Sequence, residues 1–357
     1  MLSRDMYTKE YIQDLYEHTG NDPALLERVI YAFGLLEAIK RVNLPFCFKG
    51  GTSLMLLLEH PGRLSTDIDI IVEPGTDIDD YIRRAGEIFP FTDVEEHIRL
   101  GKNNIEKRHF KFKYRSPKSG RDVTILLDVL FENIYYGATI ERPIKNELLL
   151  TEGEDLTVII PDVNAILGDK LTAFAPHTTG IPFGVNEELE ILKQMFDCGS
   201  LFEAMDDYNE VCASYNKVVK AEMEYRGLSL SPKEVLKDTI NASLSIASRG
   251  QLMGEEYSYL KDGISRIRNH ILGGKFSGEI AGACASRVLY LASSMLVESD
   301  RIIKIHDANE YLEKKIELPR PKSFAYLRVV DPIAYGYIIE TGKLLKCIKD
   351  QAEIAEI

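Results

Sequence analysis

The sequence predicts an α/β protein, more broadly α+β, with an N-terminal mixed sheet flanked by helices and a C-terminal helical domain. Three observations carry that prediction. Short runs rich in β-branched and aromatic residues fall at 46–49, 68–72, 109–114 and 123–131, with helix candidates between some of them. From about residue 185 strand signals almost vanish and helix-length periodic segments take over. Between the two regimes, PHTTGIPFGVN (176–186) concentrates proline, glycine and threonine and reads as a loop. A chain of 357 residues exceeds the usual size of one domain, so residues 1–180 are assigned to a first domain and 181–357 to a second.

The elements follow in order. ALLERVIYAFGLLEAIKRV (24–42) places Leu25, Leu26, Val29, Ile30, Phe33, Leu35 and Leu36 near helical spacing and ends at Asn43 and Pro45. A short strand then leads into Gly50 and Gly51, which open a helix from Thr52 to Glu59. IDIIV (68–72) is a strand, and HFKFKYR (109–115) alternates Phe110, Phe112 and Tyr114 with Lys111, Lys113 and Arg115. VTILLDVLF (123–131) is almost continuously apolar and reads as a buried central strand, interrupted by Asp128. LTVIIP (156–161) is a further strand, followed by a helix carrying Lys170. NEELEILKQMFDCGSLFEAM, YNEVCASYNKVVKAEMEYRG, SPKEVLKDTINASLSIAS and EIAGACASRVLYLASSMLV supply the helical domain.

Composition narrows the function. The formal charge of −13 argues against a protein that coats nucleic acid with its whole surface, although a local basic patch remains open. Cys47, Cys198, Cys212, Cys284 and Cys347 are odd in number and scattered, which fits reduced thiols in the cytoplasm better than disulfides or zinc. No signal peptide is seen, and the longest apolar stretch, near 280–297, is broken by Arg287, so no membrane association is expected. HExxH, GxSxG, Walker and GxGxxG patterns are missing, which removes support for hydrolase, P-loop and dinucleotide functions.

The chemistry concentrates in FKGGTSLMLLLEHPGRLSTDIDIIV (48–72). Residues two apart in a strand share a face, so Asp67 and Asp69 project together and a bound divalent cation would relieve their repulsion. Magnesium suits such hard oxygen ligands. Gly50 and Gly51 let the backbone approach a phosphate at a helix N-terminus, and Thr52 or Ser53 can add a hydroxyl. Asp128, in an apolar strand, needs a metal or a cationic partner and would complete a two-metal site for a nucleoside triphosphate and an acceptor hydroxyl. Taken alone, a glycine pair reads as a turn and a DxD as a solvated strand end. Their order here, with the third acid downstream, points to nucleotidyl transfer.

That order resembles the polymerase β type nucleotidyltransferase superfamily, with Lys49 standing where the pattern has a hydrophobe and facing the phosphates instead. More narrowly, KGGTSL followed by RLSTDIDI is similar to the AbiEii family, the nucleotidyltransferase toxins of type IV toxin–antitoxin pairs, over roughly residues 25–200. The resemblance implies a catalytic lysine at Lys170 in LGDKLTAF and a further aspartate at Asp197 in LKQMFDCGSLF, where Cys198 and Leu201 depart from the usual acid pair. It also implies a contribution from Ser65. Lys170 could neutralise a phosphate, or be a solvated helix lysine. Arg63 could do the same or cap the strand's entry, and His177, in the loop, borders the site or is idle.

The reading is a magnesium-dependent nucleotidyltransferase, with the nucleoside triphosphate as co-substrate and two ions held by Asp67, Asp69 and Asp128. By resemblance the acceptor is the 3′ end of tRNA, growth arrest is the outcome, and a cognate antitoxin is a partner. The basic stretch 99–121 would meet RNA or triphosphate, or else be the solubilising face of an edge strand. Two alternatives stand: transfer to a protein side chain or a small molecule such as an aminoglycoside, and a nucleotide-binding module without turnover.

Overall fold

Period-two alternation sets the sheet. The computed structural model describes residues 1–97 and 106–349, apart from the side chains of 347–349. By Cα proximity the chain divides into two compact units, one of Met1–Val163 with Asn269–Gly274 and one of Asn164–Arg268 with Lys275 onward.

In the first unit, helices α1 (Lys9–Thr19) and α2 (Pro23–Arg41) precede strand β1 (Cys47–Lys49), helix α3 (Gly50–Leu57), strand β2 (Ile68–Val72) and helix α4 (Asp79–Gly86). Strands β3 (Phe91–Glu96), β4 (Lys107–Arg115) and β5 (Asp122–Phe131) complete a five-stranded sheet of order β1-β2-β5-β4-β3. The β2–β5 pair is parallel and the other three pairs are antiparallel, so the sheet is mixed. Strands β6 (Thr139–Pro143) and β7 (Thr157–Pro161) form a separate antiparallel pair.

One face of the sheet is the core. Phe110, Phe112 and Tyr114 on β4 and Ile125, Leu127 and Val129 on β5 are buried there, together with Ile68 and Ile70 on β2. Helix α2 covers this face: Tyr31 stacks on Tyr114 at 3.6 Å, and the buried Glu27 accepts from Tyr114 Oη at 3.2 Å and from Ser116 Oγ at 3.0 Å. The other face is more open, with residues 124, 126, 128 and 130 of β5 only partly covered. β5 is therefore central, as the sequence implies, but not buried on both sides. Its Leu126 and Leu130 make the run read as continuous.

Residues 269–274 join this unit through pairing that no local pattern announces. Leu64 N donates to His270 O at 2.7 Å, Leu272 N to Gly62 O at 3.0 Å, and Asn21 Nδ2 to Ile271 O at 2.8 Å. These bonds fix the segment that carries Arg63 and Ser65.

The second unit is helical: α5 (Val163–Ala173), α6 (Glu188–Ala204), α7 (Tyr208–Arg226), α8 (Pro232–Ala247), α9 (Tyr257–Ile267), α10 (Gly278–Leu296), the short α11 (Leu327–Val330) and α12 (Pro332–Lys349). α10 packs against α6, α8 and α12. Residues 164–180, counted with the first domain on sequence grounds, cluster with this second unit. Asn164 Oδ1 accepts from the amides of Asp206 and Asp207 at 3.1 Å each, and a Cβ at Gly168 would lie 2.6 Å from Tyr215 N, so α5 and α7 pack at backbone distance. The stretch 176–186 is held in the same unit, for Asp238 Oδ2 on α8 accepts from His177 N and Thr178 Oγ1, both at 2.8 Å.

Among the described residues Cys47, Cys198, Cys212 and Cys284 are free thiols, and no helix is long and apolar enough to cross a membrane.

Candidate active site

Strand register brings the polar residues together. Lys49 on β1 faces Asp69 on β2, Asp69 faces Asp128 on β5, and Asp128 faces His109 on β4. Cross-strand partners share a face, so these four side chains form one row on the open side of the sheet. The row extends by backbone to His97, whose amide donates to His109 O at 2.7 Å.

Asp69 and Asp128 are thus neighbours, as their spacing in sequence could not reveal. Asp128 is held by His109, with Nδ1 at 2.7 Å from Oδ1 and side-chain exposures of 13% for the histidine and 26% for the aspartate. The sequence calls for a metal or cationic partner for Asp128, and an imidazole nitrogen occupies that place. His109 itself escaped the sequence reading. The signal available was its position on the non-aromatic side of the HFKFKYR alternation.

Asp67 lies just before β2 rather than within it, and its carbonyl accepts from Thr52 Oγ1 at 2.6 Å. That bond ties the start of α3 to the DID segment. Thr52 and Ser53, expected to offer hydroxyls to a phosphate, are fully buried, and Ser53 Oγ donates to Gly50 O at 2.8 Å. Both hydroxyls therefore lock the turn.

The two glycines have distinct reasons. Gly50 has φ +81°, which L side chains rarely adopt, and a Cβ there would sit 2.1 Å from Asp69 Oδ2. A Cβ at Gly51 would lie 2.6 Å from Arg63 Nη2 and 2.8 Å from Ser65 Oγ. The diglycine turn is thereby set against Asp69 on one side and against Arg63 and Ser65 on the other. Arg63 is buried and donates from Nη1 to Leu64 O at 3.2 Å. Lys49 Nζ stands 5.7 Å from the ring centroid of Tyr136.

A divalent cation fits the donors here. Carboxylate oxygens are hard ligands, Asp69 and Asp128 share a face, and a Cβ at residue 50 would fill the space that glycine leaves beside the Asp69 carboxylate. Among the described residues, however, no three His, Cys, Asp or Glu side chains are already gathered as a metal-ligand group. Asp128 is turned to His109 instead.

Lys170 and Asp197, both in the second unit, meet each other. Lys170 Nζ is 3.0 Å from Asp197 Oδ2 and 3.0 Å from Gln194 Oε1, with side-chain exposures of 8% for the lysine and 2% for the aspartate. The solvated alternative for Lys170 is excluded by that burial.

The basic strip carries acids of its own. Lys113 pairs with Asp93 at 3.2 Å, Arg115 with Asp122 at 3.2 Å, and Arg108 with both Glu96 at 2.8 Å and Asp79 at 2.7 Å. Hydrogen bonding to Asp93 raises the Lys113 pKa, and bonding to Glu96 raises that of Arg108. Arg99 and Lys102 of the same strip lie outside the described residues. Lys111 and Lys113 share the face of His109, hence that of Asp128.

Comparison with known proteins agrees with the motif order. The family described as nucleotidyl transferase AbiEii toxin, type IV TA system, matches residues 35–265. Among solved structures, JHP933 from Helicobacter pylori is similar at a TM-score of 0.45 and 13% identity, over 76% of this chain and 93% of that one. A second H. pylori structure, whose nucleotidyltransferase assignment is provisional, gives a TM-score of 0.41 and 12% identity over 74% of this chain and 92% of its own. No curated protein matches. With the family match spanning more than half of its length, the chain belongs to the AbiEii nucleotidyltransferase toxin family of type IV toxin–antitoxin systems and is a nucleotidyltransferase.

Proposed function

We propose that this nucleotidyltransferase moves a nucleoside monophosphate from a triphosphate to the 3′ end of tRNA, with magnesium, as a cytoplasmic toxin restrained by a cognate antitoxin. The observation that carries the proposal is the register pairing of Asp69 with Asp128 beside a glycine at residue 50 that leaves no room for a Cβ. Asp67, Asp69 and Asp128 are the residues assigned to hold the magnesium ions, two by expectation. When bound, such ions neutralise phosphate charge and acidify an acceptor hydroxyl.

The chain's own residues divide the remaining work. Backbone amides at the start of α3 face the phosphates, since a helix N-terminus favours anions and the glycines leave them approachable. Thr52 and Ser53 hold that turn from within, while Arg63 and Ser65 border it and Lys49 offers positive charge at the end of the polar row. His109 orients Asp128. Lys111 and Lys113, on the same face, favour an approaching polyanion. Lys170 and Asp197 steady the helical unit as a buried pair, and the resemblance keeps Lys170 a candidate for phosphate contact.

A second reading follows from the acids along the basic strip. Asp93 and Asp122 each face a cation there, which favours a smaller or less charged acceptor, a protein side chain or a small molecule, over RNA. One experiment separates the readings: the protein is incubated with each α-labelled nucleoside triphosphate, magnesium and total cellular RNA. Label at the 3′ end of tRNA supports the first. Label only on protein or on a small molecule overturns the tRNA assignment.

A further inference from the structure

We infer that the helical unit carries a second binding site, for the phosphate groups of an anionic ligand. A cavity of about 590 Å³ opens between the turn that follows α8 and the residues that precede α11, and Arg249, Arg320 and Lys322 line it. Among the described residues none of its lining is acidic, in a chain whose formal charge is −13. By contrast, Lys113, Arg115, Lys170 and Arg287 each sit beside a carboxylate.

The cations are held in place without being neutralised. Arg249 has φ +54° and Arg320 φ +49°, backbone conformations that glycine adopts at no steric cost and arginine seldom does. Strain of that kind collects at binding sites. Arg249 lies over the ring of Tyr326 with Cζ 4.6 Å from the centroid, and Tyr326 Oη donates to Ala247 O at 2.9 Å, which fixes the platform. Arg320 Nη1 donates to Gln251 O at 2.7 Å and so ties one wall of the cavity to the other. A carbonyl takes up one N–H and leaves the positive charge uncompensated. Lys322 is exposed and has neither an ion pair nor a side-chain hydrogen bond among the described residues. Glu279 stands 3.3 Å from Arg249 Nη1, with 46% of the arginine and 48% of the glutamate side chain exposed. A pair so open to water is weak and yields to a better anion.

Charge selects the ligand. Three cations against Glu279 leave a net charge of about +2, which complements the charge of about −1.5 to −2 on a phosphate monoester. Guanidinium forks also match phosphate oxygens in pairs. The hydroxyls are spent within the turns, for Ser248 Oγ accepts from Leu252 N at 2.9 Å and Ser323 Oγ donates to Arg320 O at 2.8 Å. Arg249 occupies the face of Tyr326 turned to it, and no other aromatic residue lines the cavity among the described residues. Recognition therefore rests on phosphate and not on a base. The volume exceeds that of one phosphate and admits a run of them, as in a free polyphosphate or the backbone of an RNA.

Calorimetric titration of the full chain tests the site with two probes, tripolyphosphate and a short single-stranded RNA without terminal phosphates. Low salt and EDTA are used, so that no metal bridges a probe to Asp69 and Asp128. Saturable binding of at least one probe is expected, weakening as salt is added. Arg320→Gln and Lys322→Gln, both at exposed positions, should each weaken it about fivefold or more and make its salt dependence shallower. Lys220→Gln on α7 removes the same charge outside the cavity and should change binding by less than about twofold. Circular dichroism confirms the fold of each variant. Weakening confined to tripolyphosphate assigns the site to a free polyphosphate, and weakening that includes the RNA assigns it to an RNA backbone. Absence of saturable binding by both probes, binding indifferent to Arg320→Gln and Lys322→Gln, or equal weakening by Lys220→Gln overturns the inference.

Discussion

His109 Nδ1 lies 2.7 Å from Oδ1 of Asp128, its register partner across β4 and β5, on the face of the sheet that also carries Asp69. A carboxylate held this way has one oxygen fixed, which sets the orientation of the group. His109→Ala should lower kcat by about tenfold with little change in KM, because orientation is lost and binding is not. His109→Asn keeps a nitrogen near the Nδ1 position and should recover part of the loss. Steady-state kinetics of the two variants, beside their melting temperatures, checks this. Equal losses in both would assign His109 a purely structural part.

Gly50→Ala probes the turn. The new Cβ meets Asp69 Oδ2 at 2.1 Å and the backbone sits at φ +81°. Gly75 is a matched control, since its φ is +82° with nothing within 4 Å of an added Cβ. Both alanine variants should lose about 1–3 kcal/mol of stability from backbone strain. Only Gly50→Ala should also lose activity, by about a hundredfold or more. Urea unfolding and initial rates on the two proteins separate the effects.

The buried Lys170–Asp197 pair makes a different demand. Removing one partner leaves a charge without its counter-ion inside the helical unit, so Lys170→Met should cost about 3–5 kcal/mol. The double variant Lys170→Met with Asp197→Leu should regain much of that stability. If the stable double variant is also inactive, the pair acts in the reaction as well as on the fold. If it is active, the pair is structural.

Much of this site was legible in the sequence, for reasons particular to its residues. The diglycine, the DID and Asp128 stand out because glycine and aspartate are costly or rare inside an apolar α/β pattern. The alternation of HFKFKYR placed Phe110, Phe112 and Tyr114 in the core, and IDIIV coincides with β2. What stayed hidden depends on register and on distant pairing. No spacing tells that Asp69 and Asp128 are direct neighbours or that His109 faces the latter. Strand β3, FTDVEE, escaped because its exposed edge is acidic rather than β-branched, as solvated edge strands often are. The 176–186 stretch looked like a linker because its prolines and glycines mark a loop whether or not that loop is packed. Asp238, far along the chain, is what holds it.

Asp238 also predicts a pH dependence. Burial raises its carboxyl pKa above the ordinary range, outweighing the bonds from Thr178 and His177 that lower it. A group with a raised folded-state pKa contributes stability that is full below its unfolded value and is lost as pH rises through the folded value. Asp238→Asn does not ionise, so its melting temperature should rise relative to the parent as pH rises above the ordinary aspartate range and through the raised folded-state value. His177 donates its backbone amide to Asp238 at the same contact, and His177→Gln measured in parallel controls for changes of that side chain. A difference between parent and Asp238→Asn that is flat with pH contradicts the assignment.

The most direct measurement is the rate of nucleotide transfer from an α-labelled triphosphate by the parent chain, Asp69→Asn and Asp128→Asn, each shown folded by circular dichroism. Loss of about a thousandfold in both variants is predicted, because the proposed function has both carboxylates serve one reacting centre. Transfer at the parent rate by either folded variant would contradict the placement of the reaction at the Asp69–Asp128 pair.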